Sequence, residues 1–402
     1  MTSPPLKHTP TRPSVTLRCT SCGATYTDAE PLWACVASAT HGTCGGVLTV
    51  DYEWPSALTT EREAALEQGR NDTGIWRYAH FLPLRTPAAP VTLGEGDTPL
   101  IPLPRWGERH GLRRVYAKLE YVSPTGSFKD RGAASVVAKA AEWGISRMVE
   151  DSSGNAGAAI AAYSARAGIP CDVYVPASAP TAKVRPIERS GANVRRIEGA
   201  RADVTAAALN AVGDGSSYYA AHNLNPYFTE GMKTAAYEVL EALGSRIPDH
   251  MILPVGGGSL FVGLWRGCQE WRSWDWVKSC PRMHVAQSTG CAPLVAAYQQ
   301  GSDEPAPIDR QPTVAGGIEV VAPPRGRHIL SILRESEGSA VPVDDEAILA
   351  HRALLATLEG LDVEPTAAVP LAGLAVLAQD GAVGPDETVV VFLTGSGLKD
   401  PS

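Results

Sequence analysis

Ser123-Pro124-Thr125-Gly126-Ser127-Phe128-Lys129-Asp130-Arg131-Gly132 is the stretch whose reading decides the fold of this chain. It is a polar, glycine-containing turn between a strand-like run, Arg114–Glu120, and an Ala-rich helical run. Strand, polar turn and helix in that order are half of a βαβ unit. The texture repeats through the chain. Candidate strands lie at Arg147–Asp151, Cys171–Val175, Asn193–Ile197, Met251–Val255, Met283–Gln287 and Thr388–Thr394. Helices such as Asn155–Ala167, Pro180–Arg189 and Thr229–Leu243 fall between them. The alternation predicts a mostly parallel sheet, and such sheets bind ligands beyond the carboxyl ends of their strands.

Three more strand-to-helix turns therefore carry chemical interest: Asp151-Ser152-Ser153-Gly154-Asn155-Ala156-Gly157, Pro254-Val255-Gly256-Gly257-Gly258-Ser259 and Leu393-Thr394-Gly395-Ser396-Gly397-Leu398-Lys399-Asp400. A glycine run opening a helix gathers backbone N–H groups around an anion, and Ser259 adds a hydroxyl. Taken alone the run is as well explained by a tight turn, because it has neither the P-loop ending nor the dinucleotide spacing. Lys129 opens a helix, where a partly desolvated amine could become a nucleophile; a solvated surface lysine is the alternative. Ser152, Ser153 and Gly154 could hold a carboxylate, and Asn155 a phenolic oxygen, or the segment is a plain helix cap. Thr394 follows a very apolar run, Val389–Leu393, which puts its hydroxyl at the ligand edge or in an ordinary turn.

Together and in this order the four turns resemble fold-type II pyridoxal-phosphate enzymes, threonine synthase most of all. SPTGSFKDRG is similar to that family's cofactor-lysine motif, and Gly94-Glu95-Gly96-Asp97-Thr98-Pro99-Leu100 to its upstream GEGxTPL. SSGNAGAAIAAYSARAG resembles the asparagine loop with its helix, and LTGSGLKD the C-terminal motif. The resemblance runs from about residue 90 to 400 and implies an α/β, two-lobed fold of the tryptophan synthase β type. It assigns Lys129 as the lysine joined to pyridoxal 5'-phosphate and as the proton carrier at the substrate's Cα. Asn155 would meet the cofactor's 3-oxygen, Gly256, Gly257, Gly258 and Ser259 its phosphate, and Thr394 its pyridine nitrogen. Ser152, Ser153 and Gly154 would meet the substrate. A hydroxyl facing that nitrogen makes the ring a gentler electron sink than a carboxylate would, which suits expulsion of a leaving group.

The implied activity is elimination of a phosphate or similar group from an amino acid, followed by addition of water or another nucleophile. Threonine formation from O-phosphohomoserine is the reference reaction. A β-replacement or β-elimination enzyme acting on serine or O-phosphoserine is the alternative within the same chemistry. A non-catalytic interaction or regulatory protein is the alternative outside it, opposed by the intact Lys129 and Thr394. The chain departs from the family in its triple glycine, in Gly316-Gly317-Ile318-Glu319, and in Asn225-Pro226-Tyr227-Phe228-Thr229-Glu230-Gly231, which lacks the family's arginine.

Cys19, Cys22, Cys35 and Cys44 crowd the N-terminal segment in the manner of a zinc ribbon sharing one tetrahedral metal. The second pair is eight residues apart rather than two, and His41 within that gap is a substitute ligand to weigh. Four protein ligands would leave no open position, so the metal is expected to be structural. Cys171, Cys268, Cys280 and Cys291 read as small buried hydrophobes, and Trp265, Trp271, Trp274 and Trp276 as a packed patch or a dimer contact.

The 402 residues carry a net charge of −8, with no block of like charge, so no basic face for nucleic acid is evident. No run approaches the roughly 18 apolar residues that cross a bilayer, and the N-terminus lacks a secretory h-region. A cytoplasmic enzyme acting on a small amino acid follows, and the resemblance implies a homodimer. The expected organisation is an appendage at 1–54, a large lobe from 55–132 and 236–402, and a small lobe from 133–235 bearing the asparagine loop.

Overall fold

The computed structural model describes residues 12–39, 42–54, 59–85, 91–212 and 217–399. Its central feature is a six-stranded sheet ordered Ala340–Val343, Arg282–Ser288, His250–Pro254, Thr388–Phe392, Arg114–Lys118 and Leu100–Pro102. All neighbours in it run parallel except Leu100–Pro102, which pairs antiparallel at one edge. Alternation along the strands sorts residues between two cores. Met251, Leu253, Val390 and Phe392 join one hydrophobic cluster, while Ile252, Val389 and Val391 join the other. A parallel sheet buried on both faces needs such near-continuous apolar strands, and this is why they were legible in the sequence.

A second sheet, ordered Asn193–Ile197, Cys171–Pro176, Arg147–Glu150 and Ser217–Tyr219, is parallel throughout. The N-terminal segment forms a separate antiparallel sheet, Thr25–Thr27, Ser14–Cys19 and Leu48–Glu53. Tyr52 donates to Glu230 at 2.6 Å, Trp143 donates to the Asp28 carbonyl at 3.0 Å, and Trp33 meets Tyr219 edge-on at 5.1 Å. The small sheet is thereby fixed to helices Lys129–Glu142 and Pro226–Ala242 and to the edge of the second sheet.

Most expected elements form within a residue or two of their predicted ends. The strand expected to reach Glu120 stops at Lys118, and the one expected to reach Thr394 stops at Phe392. Helix Pro226–Ala242 starts three residues before Thr229, because Asn225 caps it by accepting from the Tyr227 N–H at 3.0 Å. Trp271, Trp274 and Trp276 pack with Phe81 and Tyr237, Trp271 and Trp276 meeting at 5.2 Å and 89°. His41 lies outside the described residues.

Candidate active site

The order of the large sheet brings the site together. Strands His250–Pro254 and Thr388–Phe392 are neighbours, so the glycine turn and Thr394 leave the same sheet edge side by side. Thr388–Phe392 also pairs with Arg114–Lys118, whose turn leads to Lys129. Past the strand ends, the Phe128 N–H donates to the Thr394 carbonyl at 3.1 Å, and Ser127 bridges to Gly395. Lys129 and Thr394 are therefore linked through adjacent backbone.

Lys129 is the first residue of helix Lys129–Glu142, and its neighbours fix it there. Asp130 is buried and accepts from Thr125 N–H at 2.7 Å. Arg131 is wholly buried, forking onto Glu120 at 2.7 Å and onto Glu238, which also takes Lys118 at 2.6 Å. An ionic cluster in a dry interior is costly to break, so it clamps the turn on which Lys129 stands. The Lys129 amine is only partly shielded, lying 4.5 Å from the Phe128 ring centre and 5.8 Å from that of Phe228. Burial lowers its pKa to about 8, against the attraction of Glu150 and Glu364 and with the repulsion of Arg325. Desolvation is thus the leading cause. At neutral pH about a tenth of the amine is uncharged, several hundredfold more than in an ordinary lysine.

Gly256, Gly257 and Gly258 leave no room for side chains. A Cβ on Gly257 would overlap Asn223 Oδ1, one on Gly258 would overlap Ile329, and one on Gly256 would crowd Ile318. Gly258 also holds φ +86, the left-handed region glycine favours, as the N-cap of helix Ser259–Ser273. Beside the turn Arg325 is buried, its guanidinium donating to the carbonyls of Asn223 and Asn225. Desolvation holds its pKa down to about 10. A cradle of backbone donors with a buried cation alongside suits a phosphate.

Asn155 opens helix Asn155–Ala167 and donates to both oxygens of Glu364, at 3.3 and 3.2 Å. Glu364 is the N-cap of helix Pro365–Gln379, and its own N–H donates to the Gly395 carbonyl at 3.0 Å. Ser152, Ser153 and Gly154 form the bend before Asn155, with Ser152 Oγ accepting from the Gly154 N–H at 3.2 Å. Thr394 is 2% exposed, and its Oγ has no hydrogen-bond partner among the described residues; Ser127 Oγ is likewise buried and unpartnered. Buried polar atoms left unsatisfied call for an explanation, and a ring nitrogen brought by a ligand would satisfy the Thr394 hydroxyl. A partly shielded amine, a phosphate-sized glycine cradle and an orphaned hydroxyl on one sheet edge fit pyridoxal phosphate.

Sequence reasoning did not single out Glu364, Arg325, Asn223, His222 or Glu150. Glu364-Pro365 carried a weak signal, an acidic residue before a helix-starting proline. Lys183 and Arg185 are exposed on helix Thr181–Arg189.

The four N-terminal cysteines also converge. All their Sγ atoms lie within 4.8 Å of one another, with Cys19 and Cys44 at 3.8 Å and Cys22 and Cys35 at 3.6 Å. Thiolates about 2.3 Å from one tetrahedral zinc stand about 3.8 Å apart, so the cluster fits that ion. Backbone N–H groups of Ser21 and Cys22 point at the Cys19 sulfur.

A model of the family described as pyridoxal-phosphate dependent enzyme matches residues 91–395. The threonine synthase of Methanosarcina acetivorans is 37% identical over 386 residues, 96% of this chain and 92% of that protein. The threonine synthase of Methanocaldococcus jannaschii is 33% identical over 385 residues, 96% and 93% of the two chains. Serine racemase from maize shares the fold, with a TM-score of 0.65 at 22% identity over 75% of this chain and 88% of that one.

Proposed function

Since the chain belongs to the pyridoxal-phosphate dependent enzyme family, we propose that it is a carbon–oxygen lyase of the threonine-synthase kind. Its reaction releases phosphate from O-phosphohomoserine and adds water to give threonine. The observation that carries the reading is the Lys129 amine, held on a clamped helix end with its pKa lowered to about 8. Gly256, Gly257, Gly258 and Ser259 would take the cofactor phosphate, Asn155 its 3-oxygen and Thr394 its ring nitrogen. Once bound there, the cofactor withdraws electrons from the substrate's Cα.

The protein's own share is placement and proton transfer. Lys129 removes and returns the Cα proton. Ser152, Ser153 and Gly154 orient the substrate carboxylate at a helix N-terminus. Cys19, Cys22, Cys35 and Cys44 hold a structural zinc in the appendage, and two copies of the chain form a homodimer. The lobes divide as 55–132 with 236–402 and 133–235. Among the described residues no helix is long and apolar enough to cross a membrane.

Purified holoprotein incubated with O-phosphohomoserine should release phosphate and form threonine in equal amounts, while O-phosphoserine should not be turned over. Phosphate release from O-phosphoserine, without threonine from O-phosphohomoserine, would overturn the assignment in favour of β-replacement.

A further inference from the structure

The elimination and addition just proposed need protons moved along the carbon chain, which Lys129 serves, and on two oxygens, which it does not. The leaving oxygen must gain a proton, and the entering water must lose one. We propose that His222, held by Glu150, is the second proton-transfer residue of the site; the assignment rests on the lyase reading above.

The pair stands at the ligand edge of the second sheet. Glu150 ends strand Arg147–Glu150, and His222 lies just beyond strand Ser217–Tyr219, its neighbour in that sheet. His222 Nδ1 is 2.6 Å from Glu150 Oε1, with Glu150 wholly buried and His222 only 8% exposed. A carboxylate on Nδ1 fixes the tautomer that leaves Nε2 for a ligand and stabilises the imidazolium when it forms. The ring lies 6.2 Å from the Phe228 ring, and Lys129 Nζ lies 5.8 Å from that same ring. Histidine and lysine therefore both lie beside the Phe228 ring. Glu150 is also the foremost charge raising the Lys129 pKa, a second sign that the two are close.

Two further observations set this pair apart from an ordinary buried one. Glu150 Oε2 is buried without a partner among the described residues, which a purely structural carboxylate would seldom tolerate. Ala221, immediately before His222, holds φ +46, a strained conformation for a residue with a Cβ. The Leu224 and Asn225 N–H groups lock that turn onto the Ala221 carbonyl, at 2.6 and 2.9 Å. Asp151, though near enough to complete a three-ligand metal cluster, is bonded to Arg201 at 2.8 Å and Thr205 at 2.7 Å. The carboxylate so engaged leaves a histidine–glutamate dyad rather than an ion site.

The proton balance closes. As the substrate's Cγ–O bond breaks, its electron pair leaves with the phosphate oxygen, which takes the Nε2 proton of the imidazolium. The neutral imidazole then takes a proton from water as the water oxygen bonds to Cβ. Because the phosphate leaves Cγ and the hydroxyl enters at Cβ, Lys129 also carries one proton from Cβ to Cγ, and the net movement at the dyad is one proton from water to phosphate. Phe228 supplies an apolar side to this space and no charge of its own.

The test uses holoenzyme, O-phosphohomoserine and D2O, comparing wild type with His222→Gln and Glu150→Gln. The visible cofactor absorbance and Cα hydrogen–deuterium exchange report the Lys129 half of the chemistry and the integrity of the fold. Threonine, against 2-oxobutyrate with ammonia, reports the second half, because an unsaturated product that escapes before water adds hydrolyses to the oxo acid. His222→Gln should keep absorbance and exchange within about twofold while threonine formation falls on the order of 10²-fold or more. The remaining turnover should partition to the oxo acid. Glu150→Gln, which alters a positioning residue, should lose roughly 10-fold with the same shift in partition. Threonine formation by His222→Gln at the wild-type rate would overturn the dyad and leave the lyase reading intact. Loss of absorbance or of exchange in that variant would also overturn it, making His222 part of the scaffold. Wild type that neither exchanges nor releases phosphate would overturn the lyase reading, and the dyad's role with it.

Discussion

The strands of the large sheet end in two very different edges. At their N-terminal ends the polar groups close on one another. The Ser339 N–H donates to His284 Nδ1 at 3.1 Å, His284 Nε2 and His250 Nδ1 are 2.9 Å apart, and His250 Nε2 reaches Glu387 at 3.0 Å. Each ring then has one donor and one acceptor nitrogen, so both imidazoles are satisfied while neutral. At the C-terminal ends stand a partly shielded amine, a cradle of glycines and buried hydroxyls without partners among the described residues. The first edge has spent its hydrogen bonds on stability. The second has left them for a ligand, as sheets of this kind do at their carboxyl ends.

Three changes put that contrast under strain. Lys129→Ala should cut turnover on the order of 10⁴-fold or more and remove the visible absorbance, with the thermal midpoint of the apoprotein little moved. Wild-type absorbance in that variant would deny the amine its role. Thr394→Val keeps the shape and deletes only the orphaned hydroxyl. It should lower kcat/KM by roughly 10-fold while the unfolding free energy of the apoprotein stays level or rises by about 1 kcal/mol. A stability loss instead would mean that the hydroxyl already has a structural partner.

The smallest effect belongs to the opposite edge. Burial, and then the neighbouring His250, lower the His284 pKa to about 3 from 6.5. Burial likewise lowers His80, His328 and His351 to about 4. Between these values and 6.5 the unfolded chain binds more protons than the folded one, so stability is full above pH 6.5 and declines as pH falls below it. Urea unfolding at pH 7 and pH 5 should show this decline, and His284→Leu should reduce it without changing kcat/KM at pH 7. An equal decline in the variant would remove His284 from the explanation.

The sequence made the ligand edge easier to read than much of the frame beneath it. The glycine run and Thr394 stood out because each follows an apolar strand directly, and Lys129 because a polar turn joins its helix to the strand before it, so local order alone placed them. Helix Pro365–Gln379 did not stand out. It is buried on nearly every side and carries Pro365 at its start and Pro370 inside, so neither period nor propensity marked it. Glu364 was missed with it. His222 and Glu150 were invisible for another reason, since 71 residues separate them (150 to 222, less the ends) and only the pairing of two strands joins them. The cysteine set carried enough local signal to be named, but its shared centre is a matter of three-dimensional approach.

The antiparallel appendage has a consequence for the whole chain. Asp28 accepts from buried Lys139 at 3.0 Å, on the helix that begins at Lys129. Arg266, on the helix that begins at Ser259, reaches back to Thr49 at 3.0 Å. The outer layer therefore grips, about two or three turns on, the levers whose near ends bear the amine and the glycine turn. Shortening the chain from its front would strip these handholds, and the damage would be felt some turns of helix away, where the chemistry is done.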